Sequence, residues 1–362
     1  MPALDMLRFL AVFLVLGRHL PSVGISVAEP VIQAATLWNQ IGWMGVDLFF
    51  VLSGFLVSGL LFRELLGKGC IDIKRFLIRR GLKIYPPFYT FLLLTPFLGN
   101  IIGEKISLRA FLCEAFFIQN YAGGYWNHTW TLAVEEHFYL SLPFIVIWFN
   151  NKFAQNAWAK IKKSFFILSA YLIFLRFATA VLTGYPVINH LTHLRLDSLF
   201  FGVLISYYFH YHYEAFQQFR KKNYKLIIVM AFLLSLIFFL FSLEGPLMLS
   251  FGLSASYFLM GLLLILALDQ PFLSREVSHG RLRRCLCYLG RHSYSVYLWH
   301  MPVLVVLKKK IDYSAQSTSD YLVLCLSYVV LSFIVGLLFS NLVEVPTMRI
   351  RDRFFPSKSS AN

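Results

Sequence analysis

Polar and apolar positions along this chain do not alternate with the period of a surface helix or a half-buried strand. They fall in blocks. Ten predominantly apolar runs, most of roughly 17–22 residues, stand at Leu4–Leu20, Trp43–Phe62, Ile84–Ile102, Leu132–Phe149, Phe165–Leu182, Leu194–Phe209, Leu226–Phe241, Leu247–Leu268, Ser293–Leu307 and Tyr321–Val343. A run of that length crosses a bilayer core of about 30 Å as a helix, and with no water there it must satisfy its own backbone hydrogen bonds. The pattern predicts an all-α, polytopic helical bundle of about ten spans. The first, sixth and ninth runs are the shortest or carry charged residues. The first has the position of a signal peptide, but Arg8, Arg18 and His19 interrupt it and Pro21-Ser22-Val23 is a poor cleavage site. It reads as a retained span.

Composition agrees: 58% of the 362 residues are hydrophobic and 14% charged, where a soluble chain carries about 25% charged residues, and mean hydropathy is +0.65. The net charge of +15 is mostly a topology signal. With the N-terminus placed inside, the inner segments hold 24 of the Lys and Arg residues and the outer segments six, so both termini are expected in the cytoplasm. No nucleic-acid-binding motif accompanies the charge, and no nucleic-acid partner is expected. The five cysteines form no CxxC pair. His190-x-x-His193 and His210-x-His212 lack companion ligands, so no metal site is expected. The longest outer loop is Gly103–Thr131. No internal repeat is visible, which weighs against a transporter built from repeated halves.

Charged groups inside spans are costly and are functional candidates. Arg8 and His19 are eleven residues apart on the first run, which places them near one helix face and about 16 Å apart along the axis. Asp47 enters the second run, ahead of Ser53-Gly54. Arg79, Arg80 and Lys83 crowd the mouth of the third. Such a cluster either anchors the inner surface or binds phosphates. Glu135 and Glu136 enter the fourth run about 100° apart around the helix, so they cannot share one role. Arg195 and Asp197 open the sixth run, and His300 lies in the ninth. Asp47 could equally be a buried partner for an arginine, and His300 an interface histidine.

These residues sit in motifs that resemble the acyltransferase 3 family of membrane-bound acyltransferases. The matching segments are Leu4-Asp5-x-Leu7-Arg8 with His19, Gly45-Val46-Asp47-Leu48-Phe49-Phe50-Val51-Leu52-Ser53-Gly54-Phe55, Arg79-Arg80-x-x-Lys83-Ile84-Tyr85-Pro86, Trp130-Thr131-Leu132-x-Val134-Glu135-Glu136-x-Phe138-Tyr139, Arg195-Leu196-Asp197 and Tyr297-Leu298-Trp299-His300. They occur in family order over nearly the whole chain. Lys83 departs from the family's arginine, keeping charge but not bidentate geometry. The resemblance implies an acetyl-CoA or other acyl-CoA donor from the cytoplasm, and a hydroxyl acceptor on a surface carbohydrate or lipid-linked sugar. It implies Arg79, Arg80, Lys83 and Arg8 as the CoA-binding cations, and His19 as general base with Glu135 or Glu136 beside it. Asp47, Arg195, Asp197 and His300 are then expected in a substrate-binding or structural polar network. Residues 1–345 are expected to form the transmembrane acyltransferase domain in a bacterial inner membrane, and 346–362 a short basic cytoplasmic tail. Many members carry a further extracytoplasmic esterase-like domain; this chain is expected to act alone or with a separate periplasmic transferase. A proton-coupled transporter or exporter is the alternative reading.

Overall fold

The computed structural model describes residues 1–22, 27–103, 105–153, 157–183, 190–241, 245–268, 280–310 and 317–356. Two of the predicted inner cations, Arg275 and Lys358, lie outside them, as does the tail beyond Pro356. In chain order the helices are α1 (Pro2–Arg18), α2 (Glu29–Gly42), α3 (Met44–Lys68), α4 (Ile73–Ile102), α5 (Leu108–Ala115), α6 (Gln119–Ala122), α7 (Trp130–Phe153), α8 (Ala157–Thr183), α9 (Leu196–Tyr211), α10 (Tyr213–Leu240), α11 (Gly245–Leu247), α12 (Leu253–Ala267), α13 (Arg281–Arg291), α14 (Ser293–Lys310), α15 (Thr318–Phe339) and α16 (Val345–Phe354). No β-strand occurs among the described residues.

Each of the ten apolar runs coincides with a helix. Among the described residues six helical stretches are long and apolar enough to cross a membrane: Glu29–Lys68, Asn127–Lys152, Lys160–Thr183, Tyr213–Phe239, Gly245–Ala267 and Thr318–Phe354. The helices over the first, third, sixth and ninth runs fall short by length or charge. Side chains such as Leu182 and Leu93 are 82% and 68% exposed. Apolar exposure on that scale along whole helix faces belongs in lipid. Proline stands inside α4 (Pro86, Pro87, Pro96), α7 (Pro143) and α14 (Pro302), which membrane helices tolerate where neighbours satisfy the freed carbonyls. One such carbonyl, that of Leu298 four residues before Pro302, lies 3.1 Å from His128 Nε2.

The chain divides into two compact units. The first comprises Met1–Gly45, Arg79–Thr129 and Arg275–Pro356, and is built on α1, α2, α4 and α13–α16. Here α14 packs on α15, while α1 packs on α2, α13 and α14. Gly290 lets α13 meet the backbone of α1 at Asp5, where any Cβ would overlap the Asp5 carbonyl. A capping box starts α15: Ser317 Oγ accepts from the Asp320 N–H and the Asp320 carboxylate accepts from the Ser317 N–H. A π-helical turn, Ser340–Glu344, carries α15 into α16 and turns Glu344 inward.

The described part of the second unit lies within Val46–Ile78 and Trp130–Leu268. Within it α9 packs on α8 and α12, and α10 on α12. Gly54 of α3 and Gly202 of α9 face each other's helix backbones so closely that a Cβ on either would overlap a carbonyl of the other. This is the close approach that small residues permit. A cavity of about 500 Å³ lies in this unit between α3, α7, α8 and α9, lined by apolar and aromatic side chains including Phe62, Trp148, Phe165 and Tyr207.

Candidate active site

The first unit brings together two sets of the predicted residues. At one end are the cations. Arg8 Nη1 donates to Asp5 Oδ1 at 2.7 Å, and Arg291 Nε donates to Asp5 Oδ2 at 3.2 Å. Arg79 donates to the Asp352 carboxylate at 3.1 Å and to the Phe355 carbonyl. The charged neighbours of Lys83 are Arg8, Arg80 and Arg351, with Glu344 the acid among them. Glu344 is buried and accepts hydrogen bonds from Ser295 at 2.7 Å and Ser340 at 2.8 Å. Among the groups named here cations outnumber acids, and they gather around the first turns of α1, the Arg79–Lys83 stretch of α4 and the start of α14.

Farther along, the end of α1 and the middle of α14 each present a histidine, and the short turn before α7 adds a third. His19 caps the end of α1. Its ring centroid is 5.3 Å from that of His300 on α14, which in turn lies 4.9 Å, edge-on, from His128. The third helix, α4, presents Phe91 edge-on to both His128 and Trp299. Trp299 stacks on Phe339 of α15 at 3.8 Å. Spacing along α1 therefore delivers the two ends that the sequence implied: Arg8 among the cations, and His19 among the histidines about 16 Å away along the axis.

Sequence reasoning missed His128, which lies outside the candidate set. The signal was its place two residues before the Trp130-Thr131-Leu132 motif. The loop that carries it is heavily tied. His128 Nε2 lies 3.1 Å from the Leu298 carbonyl, and the Tyr297 hydroxyl donates to the His128 carbonyl at 2.7 Å. Gln119 Nε2 donates to the Thr129 carbonyl at 2.8 Å, and Trp126 Nε1 donates to Thr95 Oγ1 at 2.9 Å.

Glu114, also unforeseen, holds the loop from beneath. Its Oε1 accepts from the Trp126 N–H at 2.7 Å and from Thr129 Oγ1 at 3.2 Å, and the residue is fully buried on α5, outside the spans. Burial pushes its carboxyl from 4.5 up to about 7, against the pull of the donated hydrogen bonds. Because the folded pKa is the higher one, the folded protein binds more protons than the unfolded chain between those values. Stability is therefore fully present below about 4.5 and falls as pH rises through 7. Glu114→Gln removes that slope. Thermal unfolding from pH 5 to 8 should show the wild type losing on the order of 2–3 kcal/mol relative to the variant. Parallel curves would show that Glu114 does not titrate in this window.

The remaining predicted residues belong to the second unit and are paired there. Asp47 Oδ1 accepts from Arg195 Nη2 at 2.5 Å, and the Arg195 guanidinium lies over the rings of Phe50 and Trp130. Asp197 instead takes Arg176, a residue absent from the candidate set. Arg176 Nη1 and Nη2 reach its two oxygens at 3.2 and 2.8 Å, and also donate to the Leu194 carbonyl and Ser254. Glu135 Oε1 accepts from Ser53 Oγ at 2.5 Å, and Ser53 accepts from the Tyr139 hydroxyl at 2.9 Å. Glu136 is buried. Among the described residues no group of His, Cys, Asp or Glu has metal-holding geometry.

This arrangement, with cations gathered at one end and imidazoles at the other, suits a thioester donor with an anionic handle and a hydroxyl to be deprotonated. Comparison with known proteins bears on that reading: the acyltransferase domain (acyltransferase 3) matches residues 1–341. The chain belongs to that family. It is 26% identical over 331 residues to the peptidoglycan O-acetyltransferase OatA of Listeria monocytogenes, covering 84% of this chain and 49% of that protein. It is 24% identical over 330 residues to the O-acetyltransferase OatA of Staphylococcus aureus, covering 84% and 51%. An uncharacterized protein of Haemophilus influenzae is 31% identical over 188 residues, 45% of this chain and 74% of that one. The chain thus spans about half the length of the O-acetyltransferases it resembles. No solved structure matches it.

Proposed function

We propose that this acyltransferase moves an acetyl group from cytoplasmic acetyl-CoA to a hydroxyl of a surface carbohydrate, such as O-antigen, capsule, exopolysaccharide or peptidoglycan. We place it in a bacterial inner membrane with ten spans and both termini inside. The observation that carries the reading is that α1, α4 and α14 each run from the cation cluster to the histidine cluster. The nucleotide phosphates fit Arg79, Arg80 and Lys83, with Arg8 beside them, because these cations gather at one end of the first unit. The acceptor oxygen attacks the thioester carbonyl, the C–S bond breaks, and the hydroxyl proton passes to His19 and from there to the departing thiolate. Neutral imidazole suits that task near pH 7. Glu135 and Glu136 are kept as candidate acids of the reaction. The O-acetyltransferase relatives and the family match support the reaction class.

The test is release of free CoA from acetyl-CoA by the purified protein in lipid nanodiscs, with and without a surface-glycan extract. Acceptor-dependent release supports the reading, and its absence with every extract overturns it. Lys83→Ala should raise KM for acetyl-CoA by about 10-fold with kcat nearly unchanged, because a charged hydrogen bond to phosphate is lost equally in ground and transition states. Lys83→Arg should leave KM within about a factor of two. A kcat effect without a KM effect would place Lys83 elsewhere.

A further inference from the structure

His300 is fully buried, and its Nδ1 lies 2.5 Å from the Tyr297 carbonyl. A carbonyl oxygen only accepts, so the hydrogen-bond network assigns the ring proton to Nδ1 and leaves a lone pair on Nε2. That nitrogen is buried and takes no hydrogen bond among the described residues. An unsatisfied buried acceptor costs free energy and needs an explanation. The His19 ring stands 5.3 Å away, centroid to centroid. Turned to face each other, nitrogens on two such rings come to hydrogen-bond distance, roughly 3 Å. The His300 ring cannot drift to other partners. His128 packs edge-on against it, and the same His128 is clamped to α14 by the Leu298 carbonyl and the Tyr297 hydroxyl.

From this geometry we infer that His300 is a positioning residue for His19: its Nε2 accepts the His19 N–H and so fixes the tautomer that leaves a basic nitrogen toward the acceptor hydroxyl. The inference rests on the proposed role of His19. The arrangement does the work that a carboxylate does in a Ser-His-Asp triad, with a neutral acceptor in place of an anion. A neutral partner orients the base without placing a second charge in the bilayer, where charge is costly. His128 braces the pair, and Glu114 braces His128.

Two substitutions separate this role from simple packing. His300→Asn puts an amide near the position of Nδ1, keeping a donor for the Tyr297 carbonyl and removing the acceptor. His300→Gln puts an amide oxygen near the position of Nε2, keeping the acceptor. His300→Asn should lower kcat for acceptor-dependent CoA release by about 100-fold with KM for acetyl-CoA unchanged, and His300→Gln should recover most of it. A second readout needs no turnover: acylation of His19 by diethyl pyrocarbonate, followed by mass spectrometry. The rate should fall about 10-fold in His300→Asn and stay near wild type in His300→Gln, since the hydrogen bond raises the nucleophilicity of the far nitrogen. Equal losses in the two variants, whether through unfolding or not, overturn the inference, as does no loss of labelling in either. If the wild type releases no CoA while the labelling pattern holds, the acyl-transfer reading fails and the histidine pair stands.

Discussion

Acceptor-dependent CoA release should fall by about 10³-fold in His19→Ala, with acetyl-CoA still bound at near wild-type affinity. The magnitude is that of losing a positioned general base, which contributes roughly 10²–10⁴. Sparing of affinity follows from the distance between the two ends of the first unit. His19 lies three turns of α1 beyond Arg8, so its removal leaves unaltered the cations proposed to hold the phosphates. Stability should change by no more than about the worth of one hydrogen bond, the one inferred to His300 Nε2, because His19 is half-buried at a helix end. The measurement is kcat and KM in nanodiscs beside thermal unfolding with and without CoA. Retention of kcat in His19→Ala would remove His19 from the reaction. A parallel loss of CoA-dependent stabilisation would mean that the substitution damages the donor site instead, and that the two ends are not separable.

The scaffold was legible in the sequence because hydropathy acts over whole segments. All ten apolar runs became helices, with ends that shift where polar residues continue the helix unseen. The third run reads from Ile84, but α4 begins at Ile73, since Lys74, Arg75, Arg79 and Arg80 contribute helix without contributing hydropathy. For the same reason α2, with Gln33, Asn39 and Gln40, and the arginine-rich α13 escaped notice. The site was legible only where a charge is anomalous in its surroundings. Arg8, His19, Asp47 and Arg195 stood out in that way. His128 and Glu114 lie in the segment read as an outer loop, where polar residues are ordinary, and their burial comes from packing between segments far apart in sequence. Pairing was hidden for the same reason. Arg195 and Asp197 are two residues apart, yet they serve different partners, Asp47 and Arg176, drawn from helices distant in the chain.

That division of partners carries the second large effect. Arg176→Leu should cost on the order of 3–5 kcal/mol, the penalty for leaving one member of a buried ion pair behind. Arg176 is 1% exposed and spends both terminal nitrogens on Asp197, the Leu194 carbonyl and Ser254, all within the second unit. Through them it ties α8 to the start of α9 and to α12. Removing it strands the Asp197 carboxylate, which then keeps the 3.2 Å hydrogen bond from the Ser198 N–H. The double variant Arg176→Leu, Asp197→Leu removes both charges and should regain more than half of the loss, because the desolvation penalty leaves with them. Unfolding midpoints in detergent titrations give both numbers. Were Arg176→Leu as stable as the wild type but catalytically dead, the pair would belong to the reaction rather than to the scaffold. The expected result is the reverse: CoA release per folded molecule close to wild type, and fewer folded molecules. Asp47 and Arg195 offer the contrast within the same unit. Arg195 is held by one carboxylate and by the faces of Phe50 and Trp130, so its charge rests partly on ring faces. Arg195→Lys, which keeps charge but loses the planar stack, should therefore be less well tolerated than its conservative appearance suggests.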